Sequence, residues 1–347
     1  MPFAPNLVER FVFITTNQGP APTLDMWGGP AFQIVLAAIR LNLFETLKTR
    51  PLTVAELSTQ LQTDVRGTQI LLDALAALRY VTLKGERYSL TAMTCKWLTA
   101  DGAINFSPFF QYWGAIVEHF MPRLTESLHS GQPPVNLYEW LETQPETSRY
   151  FQQGMMAITR YIKDDVVKKI NLQPTARRLL DIGGGHAMYS IALCRKHPQL
   201  TATVFDSPQA LTVGRESIAA ESINDRVTAQ EGNFLTDELG TGYDVALLFN
   251  IVHGLSPEAN LELFRKVRKS LYPGGQLIVV EQLAGVSPLP LTDTIVQVLS
   301  TAYFHLLGGQ VYTFEDMSSW LKQAGFGSIR RQNILKAGSA IISGMAL

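Results

Sequence analysis

Residues 178–206 read RLLDIGGGHAMYSIALCRKHPQLTATVFD, and this stretch decides the fold. A short apolar run closes on three glycines, a helical pattern follows from Met188 to Arg195, and a second apolar run ends at Asp206. The alternation continues downstream. A helix is expected over Gln209 to Ala220, strands in VTAQEGNF (227–234) and DVALLFNIV (244–252), and a helix over Glu258 to Leu271. Pro273, Gly274 and Gly275 form a turn before the strand QLIVVEQ (276–282). Strands alternating with helices of this length predict an α/β fold, a doubly wound parallel sheet with helices on both faces. Ligands in such sheets bind beyond the carboxyl ends of the strands, so those ends hold the first candidates for function.

The loop Asp181-Ile182-Gly183-Gly184-Gly185-His186-Ala187 carries small residues at alternate positions. They let a ligand approach the backbone, and the helix that follows offers free N–H groups. A dinucleotide fingerprint needs Gly-x-Gly-x-x-Gly. Counting from Gly183 the sixth position is Met188, and from Gly184 the third is His186, so no pyrophosphate cradle is expected. Asp206 ends the second strand, where a carboxylate accepts hydrogen bonds from ribose hydroxyls. Two carboxylates around one loop suit a cation and repel a pyrophosphate. S-adenosylmethionine has both a ribose and a sulfonium. Gly232-Asn233-Phe234 ends the third strand, where Asn233 can bond an adenine edge and Phe234 can lie against its face.

His253 lies just past the fourth strand and Glu281 ends the fifth. If these strands are neighbours, both side chains emerge at one sheet edge. A neutral imidazole can take a proton from an attacking hydroxyl, and a carboxylate can fix its tautomer and stabilise the imidazolium.

Upstream, Ile34, Ala37, Ala38, Leu41 and Phe44 mark a helix from Ala31 to Leu47, stopped by Pro51. Thr53 with Glu56 forms a capping-box pattern. Thr63 opens a second helix through Leu78, and YVTLKGERYSL reads as a hairpin turning at Gly85. Together these make a winged-helix pattern. Its second helix is apolar on most faces, with positive charge only at Arg66 and Arg79, so it is read as packed on several sides. A helix that reads DNA needs an exposed polar face, and a structural or dimer-forming role fits better. Residues 1–25 look loosely ordered, with Gly19, Pro20 and Pro22. Residues 107–170 look helical and aromatic-rich around the loop Ser130–Asn136, and the stripe Phe109, Phe110, Trp113, Phe120 suits a core or an interface.

The whole composition agrees. With 347 residues, two domains are expected. Hydrophobic residues at 46% against 17% charged argue for packed cores. A formal net charge of −1 lacks the basic footprint of a nucleic-acid binder. Two cysteines, Cys95 and Cys194, cannot form a disulfide framework or a four-thiolate zinc site and are read as small buried residues. No metal-ligand spacing, secretory signal or uninterrupted apolar span stands out, so a cytoplasmic protein without membrane partners is expected.

The segment LLDIGGGHAMYSIALCRKHPQLTATVFDSPQAL resembles the cofactor loop of the small-molecule S-adenosylmethionine-dependent O-methyltransferases, a family of plant phenylpropanoid and bacterial natural-product enzymes. FQQGMM, FNIVHGLSPE, LYPGGQLIVVEQ and LLGGQVYTFEDMSSWLKQAGF are similar to later landmarks, so the resemblance covers nearly the whole chain. It implies a class I, Rossmann-like methyltransferase domain (171–347), a helical substrate-lining segment (106–170) and an N-terminal winged-helix domain (1–105) that forms a homodimer. It also implies cofactor contacts at Asp181, Gly183, Gly185, Asp206 and Asn233, with Ser207, Gly232, Phe234 and Asn250 beside them. His253 becomes the general base for methylation of a hydroxyl on a small aromatic or conjugated molecule, and Glu281 its orienter. Substrate contacts are expected at Trp113, Met155, Met156, Tyr303 and His305, whereas His186 is expected to support packing.

The chain departs from the family at several places. Ala187 stands where a glycine is usual, Gly254 and Leu255 replace an Asp and an aromatic, and Phe249 occupies an often basic position. Val311 takes the place of a second carboxylate. Alanine at 187 is small enough for cofactor binding to survive, whereas the changes at Gly254, Leu255, Phe249 and Val311 weaken the support for the base and leave a carbon or nitrogen nucleophile, or a ligand-binding homologue without activity, as alternatives.

Overall fold

Local sequence sets the first elements. Thr53 Oγ1 accepts from the Glu56 N–H at 3.2 Å, and Glu56 Oε2 accepts from the Thr53 N–H at 2.8 Å. This closes the expected capping box at the head of helix Val54–Leu61. The computed structural model describes residues 7–18, 20–334 and 338–347. The chain divides into two compact units, Met1–Ala115 and Ile116–Leu347.

In the first unit, helices Pro22–Arg40, Leu43–Thr49, Val54–Leu61 and Val65–Ala77 precede a hairpin of β1 (Val81–Lys84) and β2 (Arg87–Leu90). Their core joins Val35, Ala38, Leu43, Phe44, Leu57, Leu72, Leu75 and Tyr88. The single helix expected over Ala31–Leu47 is two helices. It starts earlier, at Pro22, and breaks at Asn42, whose φ of 55° is left-handed; asparagine tolerates that region better than most residues. Part of the segment expected to be loose is helical, over Leu7–Arg10 and Phe11–Thr15, whereas residues 1–6 and Gly19 lie outside the described residues. Helix Val65–Ala77 is capped by Asp64 rather than opened at Thr63. It buries only Thr68, Leu72 and Leu75 and leaves Val65 and Ile70 more than half exposed, so it is not packed on several sides. Cys95 is exposed, against expectation, and Cys194 is buried.

The second unit is built on a seven-stranded sheet. Its strands are β3 (Arg178–Ile182), β4 (Thr201–Asp206), β5 (Val227–Glu231), β6 (Tyr243–Phe249), β7 (Leu271–Gln282), β8 (Phe326–Ile334) and β9 (Ser339–Ala346). Their order is β5-β4-β3-β6-β7-β9-β8. The first five run parallel, whereas β9 pairs antiparallel with both β7 and β8. Side chains alternate between two cores. Leu179, Val204, Val245, Leu247 and Ile278 face the helices around Val166, Leu193 and Leu211. Leu180, Ala246, Leu248 and Val279 face Phe264, Met317 and Leu321. The Pro273-Gly274-Gly275 turn is absorbed into β7, as an irregularity in its pairing with β6. The strand order reverses between β3 and β6, the switch point where ligands bind in such sheets. No single helix among the described residues is long and apolar enough to cross a membrane.

Candidate active site

A cavity of about 900 Å³ opens over the carboxyl ends of β3, β4, β5 and β6. The glycine loop forms its floor. Gly183 has a φ of 69°, and a Cβ there would stand 2.3 Å from Ile251; at Gly185 it would stand 2.8 Å from the Gln152 amide oxygen. A side chain at either point would be strained by the left-handed backbone and crowd Ile251 or Gln152, so glycine brings bare backbone to the cavity. Ala187 takes a left-handed φ of 62° as the residue before helix Met188–Lys196, which is why a glycine suits that position.

Asp206 Oδ2 accepts from the Gly185 N–H at 2.9 Å, and its Oδ1 accepts from the Ser207 N–H at 2.7 Å. Burial pushes its pKa up to about 6, against the pull of these two N–H groups. Asp181 accepts from Ser190 Oγ at 2.6 Å. Burial raises its pKa to about 7; the Ser190 bond opposes that rise and the Asp206 charge adds to it. Asn233 Oδ1 accepts from the Leu235 N–H, so its amide oxygen is spent on the turn. Asp181, Gly183, Gly185, Asp206, Ser207, Gly232, Asn233, Phe234 and Asn250 all line this one cavity.

The wall also carries residues that the sequence reading did not single out. Gln152 packs against Gly185, Tyr138 stands on helix Leu137–Glu142, and the Tyr189 hydroxyl is buried. Asn136, a helix-capping residue two before Tyr138, and Glu139 in the first turn are the local signals for that helix. His186 lines the cavity too. Its Nδ1 accepts from the Met188 N–H and its Nε2 lies 3.1 Å from Thr159 Oγ1, so it also braces the loop against the helix Pro145–Lys169. Burial pushes its pKa down to about 4.

No Lys or Arg lines the cavity among the described residues, whereas Asp181, Asp206, Glu231 and Asp237 do. Such a wall repels phosphates and favours a cation. Bare glycine backbone, a carboxylate at the tip of β4 and an acidic wall therefore fit a ribosyl sulfonium.

β6 and β7 are neighbours, as expected, and bring His253 and Glu281 together. The Val252–Gly254 turn sets His253 Nδ1 2.6 Å from Glu281 Oε1, and Glu281 Oε2 accepts from the His253 N–H at 3.3 Å. With an ionised carboxylate as acceptor, Nδ1 carries the proton and Nε2 keeps a free lone pair. Gly309 explains the double-glycine landmark: a Cβ there would stand 2.1 Å from the His253 carbonyl. Neither His253 nor Glu281 is among the residues that line the cavity, whereas Ile251 and Gly254, close to His253 in sequence, are. Val311 is buried, and its backbone N–H donates to Ser300 Oγ at 3.0 Å.

The expected substrate residues separate. Met155 lines the cavity, and Met156 does not. Trp113 belongs to the first unit, edge-on to Phe109 and Tyr112. Tyr303 is not on the wall; its ring lies on that of His253. His305 cannot meet a ligand in this structure, because it is fully buried with both nitrogens engaged. Nε2 donates to the Phe120 carbonyl at 2.8 Å, which leaves Nδ1 to accept from Ser127 Oγ at 2.7 Å.

The profile of the O-methyltransferase domain matches residues 113–327, and that of the O-methyltransferase dimerisation domain matches residues 29–101. The chain belongs to the O-methyltransferase family. It is an enzyme of that class, whose cofactor is S-adenosylmethionine. It is 30% identical to an L-tyrosine C(3)-methyltransferase of Streptomyces lavendulae, over 90% of this chain and 92% of the relative. A 3-hydroxy-5-methyl-1-naphthoate 3-O-methyltransferase of Streptomyces sahachiroi is 27% identical, over 90% and 91%. Human N-acetylserotonin methyltransferase, solved in complex with S-adenosylmethionine, shares the fold with a TM-score of 0.81 at 20% identity, over 99% of each chain.

Proposed function

We propose that the protein methylates a small phenolic molecule, with His253 as the base that deprotonates the hydroxyl and Glu281 as its orienter. The observation that carries this reading is the 2.6 Å contact between these two side chains beside an acidic, glycine-floored cavity. S-adenosylmethionine, when bound, supplies an electrophilic methyl group on a positively charged sulfur. The residues proposed to hold it are Gly183, Gly185 and Asp206, with Asp181 behind the loop and Asn233 and Phe234 at the far side. Asp206 accepts from the ribose hydroxyls, and the carboxylates of the wall balance the positive charge.

The acceptor's proton passes to Nε2 of His253, and Glu281 stabilises the imidazolium that results. A phenolate spreads its charge over the oxygen and the ring carbons ortho to it. Oxygen attack is the first reading. Attack by an ortho carbon, which then gives up its ring proton to restore aromaticity, is the second, favoured by the 30% identical relative whose name specifies methylation at C(3) of L-tyrosine. Which atom is presented depends on how the wall holds the ring.

We propose in addition that the first unit forms a homodimer, supported by its dimerisation profile and by the exposed apolar residues Trp27, Val65 and Ile70. The direct experiment is incubation with S-adenosylmethionine and a panel of phenols, with the product read by mass and by carbon NMR. A methoxy signal supports the first reading and an aryl-methyl signal the second. His253→Ala should lower turnover about 10²–10⁴-fold with binding of S-adenosylhomocysteine retained; unchanged turnover would remove His253 from the mechanism.

A further inference from the structure

The ring of Tyr303 lies on that of His253, with centroids 3.9 Å apart and planes 20° from parallel. Tyr303 comes from helix Pro290–Leu307, which packs against the Val252–Gly254 turn. Its hydroxyl donates to Gln282 Oε1 at 3.2 Å, and Gln282 Nε2 donates to Asn250 Oδ1 at 3.4 Å. Gln282 also directs its backbone N–H to Glu281 at 3.3 Å. The tyrosine is thus held at its tip by a residue tied to both Glu281 and the cavity wall. Glu281 from β7 and Tyr303 from this helix meet the imidazole directly, Tyr138 on helix Leu137–Glu142 is close enough to act on both of them, and none of the three is a cation. Burial pushes the Tyr303 hydroxyl up from its ordinary pKa, so the ring stays a neutral phenol.

An aromatic face attracts a cation through its quadrupole, and most strongly where water is excluded. Glu281 meets the imidazole at its edge; Tyr303 meets its face. We propose that Tyr303 is a positioning residue for His253: its ring fixes the plane of the imidazole and stabilises the imidazolium formed when the base takes its proton. The proposal rests on the reading of His253 as the base. It also accounts for Tyr303 lying off the cavity wall. The side chain acts through the base and never touches the acceptor.

The test needs no acceptor. Ring resonances of His253 are followed by NMR against pH in the unliganded protein, assigned by their loss in His253→Ala. Tyr303→Phe keeps the ring and loses the hydroxyl, and replacement of Tyr303 by pentafluorophenylalanine keeps the shape and reverses the quadrupole. The Phe variant should hold the midpoint within about 0.3 pH unit, and the fluorinated ring should lower it by about one unit. Equal midpoints in the two ring variants, or a rise with fluorination, would overturn the proposal, because a ring that only fills space gives one of those results. Binding of S-adenosylhomocysteine, measured on each variant by calorimetry, confirms that the cavity is intact. Failure of the base reading shows separately, as unchanged turnover in His253→Ala.

Discussion

At the scale of single residues, the site is a set of groups displaced from their ordinary behaviour by burial. Asp181 and Asp206 hold their protons up to about pH 7 and 6. A carboxyl whose folded pKa lies above its unfolded value of about 4 binds its proton better in the folded state. Its contribution therefore favours folding fully at low pH and is lost as pH rises through the folded pKa. The unliganded protein should lose stability from these two groups between about pH 4 and 7. Urea denaturation of the parent and of Asp181→Asn at pH 5 and 7.5 checks this: the parent should lose ground to the variant at the higher pH. The same charges attract a cation once they ionise, so the preference for S-adenosylmethionine over its neutral demethylated product should grow from pH 5 to 7.5, as read by calorimetry. Asp206→Asn removes a charge-assisted acceptor worth about 1.5–3 kcal/mol, and cofactor affinity should fall about 10- to 150-fold. Asp206 was legible as a residue because it ends β4, and His253 because it follows β6 closely and matches the family resemblance. Tyr138, Gln152 and the stacking of Tyr303 were not, because aromatic and amide side chains on apolar helices look alike until their neighbours are known.

At the scale of elements, caps and turns place the groups that face the cavity. Helix Leu137–Glu142 is only six residues long, and Asn136 Oδ1 accepts from the N–H groups of Tyr138 and Glu139 at its head. Asn136→Ala should cost about 1 kcal/mol and loosen the helix that holds Tyr138 on the wall. The expected readouts are a lower melting temperature and weaker cofactor binding. Ala187→Gly tests the opposite case. Relief of a left-handed alanine gains about 1–2 kcal/mol, and the freer unfolded chain returns about 0.4–1 of it. The variant should melt at the same temperature as the parent or a few degrees above it, with cofactor affinity unchanged. The capping box at Thr53 and Glu56 was readable because its signal lies within four consecutive residues. The break at Asn42 was not: the apolar spacing runs on through it, and a single residue crossing into left-handed backbone leaves the hydrophobic pattern intact.

At the scale of the molecule, binding should be visible as stability. A ligand at about 100 times its dissociation constant adds about 2.7 kcal/mol, or about 5–10 °C in melting temperature for a unit of this size. Calorimetric scans with S-adenosylhomocysteine should show that rise, and Asp206→Asn should reduce it. The strand pattern from residue 178 to 282 was enough to place a parallel sheet, its carboxyl edge and the residues that ride on it, since period-2 and period-3.6 burial are local properties of the chain. The antiparallel pair β8 and β9 was not foreseen. An edge pairing is a choice among partners far apart in sequence, and nothing in either strand alone names its neighbour. The same reason governs the site. Local pattern marked the glycine loop and Asp206 at strand ends, whereas the roles expected of His253 and Glu281 came mainly from the family resemblance. Their assembly into one cavity flanked by a paired base required the folded order β4-β3-β6-β7, as did the removal of His305 from the wall and the placing of Tyr303 against His253. Contacts between residues tens of positions apart depend on which strands lie side by side and which helix packs over them, and that arrangement exists only once the cores have closed.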